Sequence, residues 1–323
     1  MNIWKAQKKP IVMGMRLDDH EDLLLQSTMS LAKKLQSSVE LVHCFESAID
    51  YSSAGNVLPK ATRQGPTMVN PWSEDRAQAS LQALAHASDP SIESHVHVER
   101  GDPAENLSQI AQDVGAGLIV CGMREQPKPW ALKGLSTALS LAFYAPVPVL
   151  ILPLRMAIDF HQPVSILIAD SLGGEGWQIL ESGLNLARYL DCEAVYHSHV
   201  LKAQPWDIQA TVNDMAETRT QGRLSWDIDL TPESLQTTLL QKINEELFYR
   251  FHNTSCGKDL LHRYHQVAAI GDIHTEFNRM IDQGTKLVIM GRHQFFSNKR
   301  LNLDHIPYQA MMEQKAGLLV IPS

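Results

Sequence analysis

Short apolar runs alternate with stretches in which apolar residues recur every three or four positions, and this alternation runs through the chain twice. Pro10–Met15 reads as a short buried strand, and Leu24, Thr28, Leu31, Ala32 and Leu35 then recur at helical spacing. Asp18 or Asp19 is placed to cap that helix. Val39–Phe45 reads as the next strand, and a Ser-, Gly-, Pro- and Asn-rich stretch over 47–72 reads as a loop insertion. Ser73 can cap a helix carrying Ala77, Leu81, Leu84 and Ala85, and His95–Val98 follows as a strand. Gly101-Asp102-Pro103-Ala104-Glu105 is a helix start, with Asp102 at the N-cap, Pro103 at N1 and Glu105 at N3. Leu118–Cys121, a helix around Ser136–Tyr144 and the run Val147–Leu152 complete the first half.

The second half repeats this order. Val164–Asp170 answers the first strand, Trp177–Leu190 the first helix and Ala194–Val200 the second strand. Residues 202–230 read as a polar insertion. Thr231-Pro232 starts a helix carrying Leu235, Leu239, Ile243 and Leu247. Gly271-Asp272 stands 170 positions after Gly101-Asp102, Lys286–Gly291 parallels Gly117–Gly122, and Gly317–Pro322 parallels the first half's last strand. Strands alternating with helices predict an α/β fold with a parallel sheet covered by helices on both faces. A repeat this long is a duplicated domain, since solenoid repeats run about 20–50 residues. The expected division is 1–153, a linker over 154–162, and 163–323.

Composition narrows the function. The 323 residues carry 28 Lys+Arg against 36 Asp+Glu, a formal charge of −8, with no basic run, which argues against a nucleic-acid binder. No apolar run approaches the roughly 20 residues that span a bilayer, and Met1–Lys5 lacks the apolar stretch of a secretory signal. Cys44, Cys121, Cys192 and Cys256 are scattered, with no CxxC pair, which fits a reducing compartment. A cytoplasmic protein is expected, with no membrane and no nucleic-acid partner.

Three segments in order carry a resemblance: Gly101-Asp102-Pro103-Ala104-Glu105, Leu118-Ile119-Val120-Cys121-Gly122-Met123-Arg124 and Ala145-Pro146-Val147-Pro148-Val149-Leu150. Each half resembles a universal stress protein domain, and the whole chain resembles the tandem members of that family. The resemblance implies two Rossmann-like, open, parallel five-stranded sheets flanked by helices, packed as an intrachain pseudo-dimer, with a further homodimer open. It also implies a stress-response role.

Many members of the family bind ATP. Binders carry an Asp at the end of the first strand and a glycine loop after the fourth, whose backbone N–H groups approach phosphate at a helix N-terminus. In the first half Gly122 and Ser136 are kept and Thr137 follows, whereas Glu125 and Leu135 replace the second and third glycines, with Gly134 adjacent. Arg16 takes the Asp position. In the second half Asp170 and Gly291 are kept, but Gln294, Asp304 and His305 replace the rest. Candidate ligand-binding residues are therefore Gly122, Arg124, Gly134, Ser136, Thr137 and Asp170. The expected function is binding of a partner or small ligand without catalysis and without a cofactor. The alternative is an ATP-binding switch using the first half, with Gly122, Gly134, Ser136 and Thr137 at the phosphates. Arg16 and Arg124 could instead favour another anion, although surface ion pairs are the plainer reading.

Other features are weaker. Ser171–Gly176 follows a strand and precedes a helix, as a ligand crevice would, and reads as a flexible turn. His95-x-His97 and His197-x-His199 each put two imidazoles on one strand face, and His262 and His265 lie near an expected neighbouring strand. Surface or strand-end histidines are expected there, not a metal site, which needs further ligands. Met311-Met312 and Phe295-Phe296 could pack in the core or face a partner. A lipid or metabolite under the insertions 47–72 and 202–230 is the third reading.

Overall fold

The computed structural model describes residues 8–17, 21–45, 74–123, 137–221, 229–292, 296–297, 300–301 and 315–322. The chain separates into two compact units, Ala6–His161 and Gln162–Ser323.

In the first unit the order is β1 (Ile11–Met15), α1 (Asp22–Leu35), β2 (Val39–Phe45), α2 (Glu74–Ala87), β3 (Ser94–Arg100), α3 (Pro103–Asp113), β4 (Leu118–Met123), α4 (Thr137–Tyr144) and β5 (Val149–Pro153). The strands lie in the order β3-β2-β1-β4-β5, with every described pairing parallel. In β1, Ile11, Val12, Met13 and Met15 are buried, and β5 is buried along its whole length, as expected of strands covered on both faces. The Gly101-Asp102 start behaves as read: Gly101 takes φ +120°, and the Asp102 carboxylate accepts the N–H groups of Ala104 and Glu105. The stretch expected to be a linker is docked on α1. The N–H groups of Ile158 and Phe160 donate to Ser27 Oγ (2.9 Å) and Ser30 Oγ (2.7 Å), and both side chains are buried.

In the second unit the order is β6 (Ser165–Ala169), α5 (Gly176–Leu190), β7 (Ala194–Lys202), α6 (Pro205–Thr220), α7 (Pro232–His252), α8 (Gly257–Leu260), β8 (Tyr264–Gly271), α9 (Ile273–Asp282), β9 (Leu287–Gly291), a short antiparallel pair β10 (Phe296–Ser297) and β11 (Arg300–Leu301), and β12 (Gly317–Ile321). Its parallel strands lie in the order β12-β9-β6-β7-β8. This is the first unit's order again. Asp272 caps α9 as Asp102 caps α3, accepting from Thr275 N–H at 2.9 Å, and Gly271 takes φ +152° before it.

The polar insertion over 202–230 contains a helix, α6, opened by Pro205 and closed at its start by a reciprocal Gln204–Asp207 capping box. It buries only Ile208 and Val212, so its apolar stripe is too thin to stand out as a period. Among the described residues no helix is long and apolar enough to cross a membrane.

In each unit the strand order reverses at its first strand, β1 beside β4 and β6 beside β9. Open α/β sheets bind ligands outside the carboxyl ends of the strands at this reversal.

Candidate functional site

Asp170 follows β6 directly, at the reversal point of the second unit. Its side chain is fully buried. A buried carboxylate is tolerable only when its oxygens are bonded and its charge is matched. Here both conditions are met within the chain. Leu172 N–H donates to Oδ1 at 2.7 Å, His197 Nε2 lies 3.0 Å from Oδ2, and Arg250 Nη1 lies 3.4 Å from both oxygens.

His197 sits in β7 and is itself fully buried. Its Nδ1 is 2.8 Å from the Tyr264 hydroxyl in β8, which is also 3.1 Å from the Leu247 carbonyl of α7. A carboxylate opposite Nε2 requires that nitrogen to carry a proton. In the neutral imidazole Nδ1 then accepts from Tyr264. When the ring takes a second proton at Nδ1, Tyr264 must turn its own proton to the Leu247 carbonyl. Burial pushes the His197 pKa down, the Asp170 hydrogen bond and charge oppose this, and the charges of Arg250 and His199 add to the lowering. The net direction is down, so the ring is neutral at pH 7. Burial alone would raise Asp170, but the His197 bond and charge, the Leu172 N–H and the Arg250 charge outweigh it and hold the carboxyl below its ordinary value.

Arg250 belongs to the last turn of α7 and is buried. Besides Asp170, its Nη1 donates to the Gly173 carbonyl (3.0 Å), its Nη2 to the Leu172 carbonyl (2.6 Å) and its Nε to Glu246 (2.8 Å). The guanidinium carbon lies 5.4 Å from the Trp177 ring centroid, and Trp177 meets Tyr249 edge-on at 6.1 Å. The turn at 171–176 was expected to be flexible. It is instead pinned by the Asp170 carboxylate on one of its N–H groups and by Arg250 on two of its carbonyls. Leu172 is held at φ +58° within it. Gly176 is required by contact: a Cβ there would overlap Asp170 Oδ1 and lie 2.7 Å from Arg250 Nη1.

The first unit fills the corresponding position differently. Arg16 follows β1, and the carboxylate that serves this turn comes from Glu21, at the start of α1. Glu21 accepts Arg16 N–H at 2.7 Å and Leu17 N–H at 2.9 Å, with Leu17 at φ +62°. Burial raises the Glu21 pKa, opposed by these two bonds and by the Arg16 charge. Gly122 lies within β4, packed closely by side chains. The space a Cβ would take is filled by Leu154, whose Cγ would be 3.1 Å away, and by Leu24 at 3.2 Å. Thr137 is half-buried at the start of α4. Arg124, Gly134 and Ser136 lie outside the described residues, as do Asp18, Asp19, Ser73, Glu125, Leu135, Gln294, Phe295, Asp304, His305, Met311-Met312 and the 47–72 insertion.

The two histidine pairs are brought onto carboxylate or carbonyl partners. His95 Nδ1 and His97 Nε2 flank the buried Glu40 at 3.0 Å and 2.8 Å, and His199 Nδ1 lies 2.7 Å from the Asp170 carbonyl. His265 stacks on Tyr196, and His262 accepts from Arg263. Among the described residues no three His, Cys, Asp or Glu side chains are grouped to hold a metal ion. Sequence reasoning missed Glu21, Glu40, Trp177, Arg250 and Tyr264. Arg250 was findable: it continues the stripe Leu239, Ile243, Leu247 at helical spacing, and a charge on a buried stripe demands a buried partner.

Residues 8–153 match the universal stress protein family. No curated protein sequence matches the chain. Among solved structures, a universal stress protein from Archaeoglobus fulgidus DSM 4304 superposes with TM-score 0.58 at 12% identity, covering 98% of this chain and 97% of that one. A Pseudomonas aeruginosa UCBPP-PA14 protein assigned to the universal stress proteins gives TM-score 0.56 at 15% identity, covering 99% and 94%. A protein of unknown function from Pseudomonas aeruginosa PAO1 gives 0.55 at 16%, covering 100% and 95%. At these identities the likenesses establish the fold.

Proposed function

We propose, for a chain whose residues 8–153 are a domain of the universal stress protein family, that it is a stress-response protein acting by binding a partner or a small ligand, without catalysis and without ATP as its resident nucleotide. One observation carries the reading: in each unit the turn after the first strand is already served by the chain's own charged groups. Asp170 has its oxygens taken by Leu172, His197 and Arg250, which leaves no carboxylate edge for a nucleoside. Glu21 holds the N–H groups of Arg16 and Leu17, and a carboxylate there repels phosphate. The filled space beside Gly122 supports the same reading. The second unit carries α6, which leaves Trp206 exposed, and we assign partner contact to this helix.

The test is a thermal and calorimetric titration of the full chain with Mg-ATP to millimolar concentration. The expected result is no saturable shift. A saturable stabilisation that disappears in the Gly134→Val, Ser136→Ala double variant would establish the alternative, a nucleotide switch in the first unit.

A further inference from the structure

The groups around the Arg250 head form a complete receptor for a guanidinium. One buried carboxylate, Asp170, supplies charge; two carbonyls, Leu172 and Gly173, accept from the two terminal nitrogens; and the guanidinium carbon lies over the Trp177 ring, 5.4 Å from its centroid. Arginine's planar fork matches such an arrangement, whereas an ammonium offers a point charge and no plane to stack. The receptor lies at the carboxyl ends of the strands, where open α/β sheets take their ligands. Its occupant comes from 80 positions away in sequence, on the last turn of a helix. Glu246, one turn earlier and partly exposed, already holds Arg250 Nε and is placed to keep the side chain if its head withdraws.

We infer that the groups around the Arg250 head in the second unit form a binding site for small alkylguanidinium compounds, occupied in the free chain by Arg250 acting as a built-in competitor. The inference rests on the reading that this crevice is not a nucleotide site. Arg250 is tethered, so its effective concentration at the site is in the millimolar range or above. An external ligand therefore competes poorly until Arg250 moves.

The test removes the competitor. Arg250→Ala deletes Cγ, Cδ, Nε and the guanidinium carbon with its nitrogens, and ethylguanidinium restores that same set of atoms. Thermal unfolding of the full-length variant is followed against ethylguanidinium chloride, with ethylammonium chloride as the ionic control. The expected result is a saturable rise in Tm of about 5–10 °C when ligand exceeds Kd by about 100-fold. No such rise is expected with ethylammonium, in the wild-type chain, or in the Arg250→Ala, Asp170→Asn double variant. A variant folded by circular dichroism but unmoved by ethylguanidinium would overturn the proposal. So would an equal response to ethylammonium or an equal response of the wild type. If Arg250→Ala does not fold alone, it is refolded from urea with either salt: recovery only with ethylguanidinium supports the site, and any other pattern rejects it. A saturable Mg-ATP shift in the wild type would remove the functional reading beneath the proposal. Failure of ethylguanidinium removes only the proposal itself.

Discussion

The contact between Gly176 and the buried charge pair makes a quantitative prediction. Gly176→Ala adds one carbon at the first position of α5, where it overlaps Asp170 Oδ1 and crowds Arg250 Nη1. Asp170 has little freedom to retreat, because Leu172 N–H and His197 hold its two oxygens from different elements. Overpacking of this kind costs about 1–3 kcal/mol. If the carboxylate is pushed off Arg250 and left unpaired, the loss rises to about 3–5 kcal/mol. Alanine recovers at most about 1 kcal/mol through helix propensity. The net expectation is a loss of about 2–4 kcal/mol, or a fall in Tm of about 5–15 °C for a unit of this size. The control lies two residues away: a Cβ at Gly174 meets nothing within 4 Å, so Gly174→Ala is expected within about 0.5 kcal/mol of wild type. Gly122→Ala provides a second contrast. Its nominal overlap is similar, but the nearest atom is the end of the partly exposed Leu154 side chain, which can swing away, and the buried Leu24 need give only a few tenths of an ångström, so the cost is about 1 kcal/mol, below that of Gly176→Ala. Urea unfolding followed by far-ultraviolet circular dichroism reads all three. If Gly176→Ala unfolds at the same urea concentration as Gly174→Ala, the packed Asp170–Arg250 arrangement is refuted.

Three further outcomes are expected. His197→Asn is expected to cost about 2–3 kcal/mol, the worth of a hydrogen bond to a charged group. It also alters the pH response. His197 titrates below 6.5 in the folded chain, so the unfolded chain takes up the proton first, and wild-type stability falls as pH drops from 6.5 toward that lower value. A Tm series from pH 7.5 to 5 that shows the same slope in the variant would contradict the assignment. Glu40→Gln is expected to lower the His95 titration observed by NMR, because the Glu40 hydrogen bond, opposed by burial, is the main cause of its elevation, with the Glu40 and Glu93 charges behind it. Having a raised pKa, His95 contributes stability that is present below pH 6.5 and lost as pH rises through the folded value; an unchanged His95 midpoint in the variant would exclude that pairing. Glu21→Ala leaves the N–H groups of Arg16 and Leu17 without their carboxylate and is expected to cost about 1–3 kcal/mol; hydrogen exchange at those two amides should accelerate, and unchanged protection would refute it.

Much of the architecture was legible because it is encoded locally. The apolar runs that became β1, β4, β6 and β9 are buried and stand at the predicted places, and the Gly-Asp starts at 101 and 271 announced α3 and α9 through backbone needs that few other residues meet. α6 was missed although Pro205 and Asp207 carry a helix start, because Ile208 and Val212 are too sparse to register as a stripe. The site was far less legible. Asp170 was singled out, but its state is set by His197 at 27 positions and Arg250 at 80 positions away, and no local pattern links them. Glu40 hides in a mostly apolar strand, and the register of β2 on β3, Glu40 opposite His95, explains how it is tolerated.

The two units share one strand order and yet treat the same position differently, and the way each satisfies the backbone of its turn explains how. After β6 the chain places a carboxylate at the strand end and must then bring in a cation, which Arg250 supplies from α7. After β1 the chain places Arg16 there and satisfies the turn's exposed N–H groups with Glu21 from the next helix. Either solution satisfies the backbone of the turn, so the fold tolerates both. They differ in what remains for a ligand. A self-supplied carboxylate holds the N–H groups of the first unit's turn, whereas a carboxylate and two carbonyls in the second unit surround a self-supplied planar cation. On the proposed readings, two units of one strand order differ in electrostatic preference at the same strand end. The guanidinium site proposed for the second unit opens only where α7 releases Arg250 from Asp170, Leu172 and Gly173.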